Sequence, residues 1–324
     1  MAAPMSNQLS KKCFRACARM KTLCHQISST FSHSIKNQQS EKPTPLAYCT
    51  NLVKKCDYEN FLCTLLYDKQ CQAAALALRA FYIELAQVPD VTTDHMRALL
   101  RFQFWKDSLN ATFEGKPPQA PILLELSQHI QKNRLSKAWF TRILDERVKQ
   151  TETDKFRSLK DVEDAAENTV TCLNYLLLQT KGIADLNADH AASHLGRCQG
   201  LVTHLRGVRY HATRGKVYLP IELIIKHKVS QEQVLRQKDD ASLRDLAYEV
   251  ASQAHIHLEK ARGFKNKVPR DAYPFFLNSV ICEKYLKDLQ LANFNIFHES
   301  LYLSPTKQRL AWRLLVQKYL KRTY

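Results

Sequence analysis

Apolar residues recur at helical spacing along most of this chain, and the pattern predicts a succession of helices. Cys49, Leu52, Val53, Cys56, Phe61, Leu62 and Leu65 fit a helix over 46–67 with a break near Asp57. A second helix is predicted over 69–88, stopping at Pro89, which has no N–H to continue the ladder. Thr93 or Asp94 can cap a third, with Leu99, Leu100, Phe102, Phe104, Trp105 and Leu109 as its apolar residues. Trp139, Phe140, Ile143 and Leu144 mark a helix over 136–149. Ser158 and Asp161 form a capping-box pattern for one reaching about Lys181.

Past this point the chain reads as a helix from Asp189 running into a basic exit loop, a short start at Ser230 with Gln233, and a helix over 242–263. Mixed apolar helix follows over 271–291. The segment 306–324 is amphipathic: Leu310, Leu314, Val316, Leu320 and Trp312 alternate with Lys307, Arg309, Arg313, Lys318, Lys321 and Arg322. Such a helix can lie on an anionic membrane or close the bundle with a solvated basic face.

Composition agrees with the pattern. Only 7 of 324 residues are glycine, and no proline occurs between Pro121 and Pro220, which favours long helices over turn-rich β structure. No run approaches the length of a membrane span. The formal charge of +17 suits an anionic partner. Basic residues do not interleave with aromatics as an RNA-binding surface requires, so nucleic acid is not expected. No Gly-rich phosphate loop, nucleophile elbow or zinc-finger spacing is present.

The first acid is Glu41, while residues 1–40 carry Lys11, Lys12, Arg15, Arg19, Lys21 and Lys36 together with many serines. Leu9, Cys13, Ala16, Met20, Leu23 and Ile27 form an apolar stripe when this tract is drawn as a helix. Residues 1–42 are therefore expected to be a mitochondrial presequence and linker, and 43–324 one folded domain. Ten cysteines without a CxxC pair are expected to be reduced thiols, and Cys49, Cys56 and Cys63, seven apart, to pack near one helix face. His190 and His194 are expected as a surface pair, and His255 and His257 point apart.

The most specific stretch is 194–220, HLGRCQGLVTHLRGVRYHATRGKVYLP. Leu195, Gly196, Gln199, Leu201, Arg206 and the run from Arg214 and Gly215 through Val217, Tyr218, Leu219 and Pro220 resemble the second signature of squalene and phytoene synthases. The segment 75–90, ALALRAFYIELAQVPD, resembles the helix carrying that family's first signature, with Phe81 giving the register, and 113–118 resembles the turn between them. The resemblance implies an all-α, isoprenoid-synthase-like helical bundle.

In that family paired carboxylates bind Mg²⁺, which requires oxygen ligands, against a diphosphate. The resemblance puts these positions at Ala86 and Asp90 on one helix and at Gly207 and His211 on the other. It implies that both metal motifs are eroded, with no metal, no cofactor and no catalytic residue. Glu84 points to a different part of its helix than Ala86, and Asp145 alone is weak evidence of a site. Arg206, Arg209, His211, Arg214 and Lys216 are the candidate anion-binding residues.

A presequence with eroded aspartates, and the runs 80–88 and 101–106, resemble a mitochondrial branch of this family that assists respiratory complex I. That resemblance implies a non-catalytic assembly factor, peripheral on the matrix side of the inner membrane. Its expected partners are complex I subunits or other assembly factors, and it is expected to act early, on a membrane-embedded core subunit. The alternatives are an active head-to-head prenyl transferase and an isoprenoid- or anionic-lipid-binding protein.

Overall fold

Thr44 opens the first helix by accepting the Ala47 N–H at 3.3 Å, with Pro45 in the first turn where its missing N–H is not needed. Asp57 then ends α1 (Pro45–Cys56) and begins α2 (Tyr58–Leu65). Its N–H closes on the Val53 carbonyl at 2.8 Å, and its carboxylate accepts the Asn60 N–H at 3.4 Å. The predicted break lies at this residue. It also separates the three cysteines: Cys49 and Cys63 are buried and Cys56 is exposed, so they do not share a helix face.

The structure, a computed structural model, describes residues 43–92, 94–153, 155–302, 307–321 and 323–324, and the folded unit is Thr44–Tyr324. The tract 1–42 read as presequence and linker lies outside the described residues. Among the described residues there is no strand, and no helix is long and apolar enough to cross a membrane.

Helix α3 (Lys69–Val91) does not stop at Pro89 as predicted but runs through it. Proline here falls in the last turn, and the Thr92 hydroxyl takes up the Val88 carbonyl at 2.8 Å. Asp94 accepts the Met96 N–H at 3.0 Å and opens α4 (His95–Phe113). Helix α5 (Pro121–Lys132), which the reading of the pattern passed over, starts on Pro121 and buries Ile122, Leu123, Leu126 and Ile130. Next comes α6 (Lys137–Glu152). The Ser158–Asp161 capping box is complete, with both reciprocal bonds formed at the start of α7 (Leu159–Ala166).

A π turn, Glu167–Thr171, joins α7 to α8 (Cys172–Gln179). Helix α9 (Leu186–Ala212) begins one turn before the predicted Asp189, because Asp185 caps it by accepting the Ala188 N–H at 2.8 Å. Then follow α10 (Ile221–Lys226), α11 (Gln231–Leu235) and α12 (Ala241–Gly263). A 3₁₀ turn, Arg270–Phe276, leads into α13 (Asn278–Leu291). The last helix, α14 (Lys307–Leu315), passes into a second π turn, Val316–Lys321.

Two helices form the centre. Helix α3 is enclosed by α1, α5, α8 and α4, and its buried Ala74, Ala75, Ala77 and Ala80 let those neighbours approach closely. Helix α9 lies against α12, α7, α13 and the first π turn. Where α9 crosses the end of α7 and this π turn, the chains nearly touch. A Cβ on Gly196 would stand 2.2 Å from the Thr171 hydroxyl, and one on Gly200 would stand 2.2 Å from the Ala166 Cβ. Glycine is what allows the crossing.

The chain closes by packing α14 onto the bundle, one of the two readings left open for 306–324. Leu310 and Leu314 join Cys63, Leu277, Val280 and Ile281 in an apolar cluster, and the Lys318 ammonium caps the Leu66 carbonyl at the end of α2. Tyr324 is buried against Phe276, and its hydroxyl donates to the Ala261 carbonyl at 3.2 Å.

Candidate functional site

Helices α3, α9 and α13, with the start of α2 and the rim residues Leu301, Tyr302 and Leu310, enclose a cavity of about 960 Å³. Its wall is mixed. Ile83, Val170, Val202 and Ile281 supply apolar surface, and Tyr82, Tyr210, Tyr285 and Tyr302 supply rings with polar ends. Ala86 and Asp90 line it from α3, and Arg206 and Arg209 from α9, whereas Gly207 and His211 are not part of its wall. About one turn of each helix is enough for these pairs, since residues three and four apart share a face.

Four carboxylates reach the cavity wall, and each already has a protein partner. Asp57 lies 3.9 Å from buried Arg79, Glu59 lies 2.6 Å from Arg206, and Asp288 pairs with Lys284. The Tyr210 hydroxyl donates to Asp90, and the Tyr210 pKa is raised by burial first and by this carboxylate second. Among the described residues no three His, Cys, Asp or Glu side chains come together to hold a metal ion. A Mg²⁺ cluster needs several convergent oxygens, and Ala86, Gly207 and His211 offer none. These residues do not fit that ion.

The five candidate anion-binding residues divide. Arg206 and Arg209 stand in the cavity, and His211, Arg214 and Lys216 are not part of its wall. Burial works against the Arg206 charge, yet Glu59 outweighs it and the guanidinium pKa lies above its ordinary value. Arg209 stacks on the Tyr302 ring at 4.3 Å, and Arg214 on the Tyr210 ring at 3.6 Å. His211 packs on Tyr218 at 4.1 Å between ring centroids, and burial lowers its pKa. It stays neutral at pH 7 and is not a cation beside the arginines. Lys216 follows Gly215, whose φ of +72° turns the chain away after α9.

The other residues flagged in the sequence lie elsewhere. Glu84 accepts a hydrogen bond from the Tyr48 hydroxyl at 3.1 Å, outside the cavity. Asp145 pairs with Lys106 at 3.6 Å and borders a separate surface depression. His190 and His194 are not a surface pair. His190 is exposed on Phe264, while His194 turns inward, its Nδ1 lying 3.1 Å from Nδ1 of His257. His257 in turn contacts Glu163 at 3.1 Å, and burial followed by the neighbouring His257 lowers the His194 pKa to about 4. Glu59, Tyr285 and Tyr302 were missed. Each meets α9 only through long-range packing, for which the sequence carries no local sign.

The sequence profile of the squalene/phytoene synthase family matches residues 53–315, nearly the whole folded unit. The chain belongs to that family. It is 44% identical over 280 residues to the Rattus norvegicus protein named NADH dehydrogenase (ubiquinone) complex I, assembly factor 6, covering 86% of this chain and 84% of that one. It is 45% identical over 259 residues to the Homo sapiens protein of the same name, covering 80% of this chain and 78% of that one. In fold it matches the crystal structure of a dehydrosqualene synthase in complex with ligand, with a TM-score of 0.74 at 20% identity, over 86% of this chain and 96% of that one.

Proposed function

We propose that this chain is a non-catalytic assembly factor for mitochondrial respiratory complex I. The observation that carries the reading is its 44% identity, over most of both chains, to a relative named as such a factor. On this reading it works as a peripheral protein on the matrix side of the inner membrane, early in assembly, on a membrane-embedded core subunit. Complex I subunits or other assembly factors are its partners, and residues 1–42 direct import.

The site supports the non-catalytic part. Head-to-head prenyl transfer requires a diphosphate to leave under the charge of bound metal ions. At the aligned positions this chain presents Ala86, Gly207 and His211, and the carboxylates in the cavity wall are held by Arg79, Arg206, Tyr210 and Lys284. On this reading both aspartate motifs are eroded. What remains is a cavity with a mixed wall, part apolar, and Arg206 and Arg209 inside it, suited to an amphipathic anion bound without metal.

The test is loss of the protein in cells, followed by separation of intact respiratory complexes on native gels. Assembled complex I is expected to fall while squalene and other isoprenoid products stay level. Reintroducing this chain restores the complex. Restoration by an isoprenoid product alone would establish the enzymatic alternative instead.

A further inference from the structure

We propose that the outward face of α14 and its π turn is a docking surface for an anionic lipid bilayer. The inward face is fixed by Leu310, Leu314, the Lys318 cap on Leu66 and the buried Tyr324. The opposite side is not packed against the bundle. Trp312, Tyr319 and Leu320 are 49%, 47% and 53% exposed, and Arg309, Arg313 and Lys321 stand exposed on the same short segment.

The charge pattern names the occupant. No acid occurs after Glu299, whereas residues 300–324 hold six Lys and Arg. A protein surface ordinarily carries both signs and would be met by both, while anionic headgroups present one sign everywhere. Tryptophan and tyrosine settle at headgroup depth, leucine reaches the acyl boundary, and guanidinium and ammonium groups contact phosphate. Leu310 is also part of the cavity wall, so the helix offered to lipid bounds the cavity that holds Arg206 and Arg209.

This inference deepens the inner-membrane part of the proposed function and rests on that reading. It is tested on the full chain by co-sedimentation with vesicles of phosphatidylcholine alone and of phosphatidylcholine with cardiolipin. Residues 1–40 are themselves basic, so the result is read from the difference between wild type and variants. A surface cation contributes roughly fivefold to partitioning, and Arg309→Gln/Arg313→Gln/Lys321→Gln should weaken binding to the anionic vesicles on the order of a hundredfold. Trp312→Ser/Leu320→Ser should weaken it as well, and both variants should keep wild-type helix content.

A second readout is local. Addition of anionic vesicles should shift tryptophan emission to the blue, and the shift should vanish in Trp312→Phe. Wild-type vesicle binding by the triple variant, or an unchanged shift in Trp312→Phe, overturns the proposal. So does a variant that keeps vesicle binding and loses a mitochondrial protein partner, since the face is then a protein interface. The measurement contains no complex I, so it stands or falls separately from the assembly reading.

Discussion

Arg206 on α9 and Glu59 on α2 meet at 2.6 Å inside the cavity, although 147 positions separate them in sequence. The guanidinium that would receive an anion is thus already held by a carboxylate of the same chain, and binding has to displace Glu59. Glu59→Gln removes the competitor and keeps the shape. We expect its affinity for inorganic pyrophosphate, titrated calorimetrically without Mg²⁺, to exceed wild type by roughly tenfold, the worth of one half-exposed charge-assisted contact. Unchanged affinity would move the anion contact to Arg209.

Space for restored carboxylates exists, since a Cβ on Gly207 would find only the His211 ring, at 3.5 Å, and Ala86 already faces the cavity. In wild type, Mg²⁺ should leave the thermal midpoint unchanged. In Ala86→Asp/Gly207→Asp/His211→Asp, with Asp90 in place, Mg²⁺ should raise it, because an ion bound only by the folded state stabilises by mass action. Thermal unfolding with and without Mg²⁺ reads the difference.

The glycine crossing gives a stability prediction. Neither Thr171 nor Ala166 can retreat from a new methyl group at Gly196 or Gly200, because the near atoms belong to backbone and to short side chains. Gly196→Ala should therefore destabilise by about 3 kcal/mol, near the top of the range for overpacking, despite the better helix propensity of alanine. Urea unfolding followed by circular dichroism measures it. Gly263→Ala, where nothing lies within 4 Å, should be neutral or stabilising and serves as the control.

How far the sequence could be read depended on whether a signal was local. Helix starts at Ser158 and Asp94 and the break at Asp57 were legible because a capping side chain and its target lie within a few residues. Phe81 and the run from Arg214 to Pro220 gave the register that brings Ala86, Asp90, Arg206 and Arg209 together. The π turn at Glu167–Thr171 was not legible, since one extra residue in a turn barely disturbs apolar spacing. The partners Glu59 and Tyr302 were not legible either, and without them the basic cluster looked more convergent than it is. His211 looked like a cation until the Tyr218 ring and the surrounding burial were in view.

Burial of histidine makes this fold sensitive to acid. His204 is buried between Phe156 and Tyr218, its Nε2 has no hydrogen-bond partner among the described residues, and burial followed by the neighbouring His211 lowers its pKa to about 3. The unfolded chain takes up this proton near pH 6.5 and the folded chain does not. The stabilisation is therefore full above about pH 6.5 and is lost progressively as the pH falls from there towards 3. At about pH 5 the loss from His204 alone comes to about 2 kcal/mol. His194, lowered to about 4, adds a smaller amount because solvent reaches it. His204→Leu removes the titrating group and its unpartnered nitrogen without a large change in volume. Its urea midpoint should match or exceed wild type at about pH 7.5 and should fall distinctly less than wild type on going to about pH 5. Parallel losses in the two proteins would place the acid sensitivity at His194 instead.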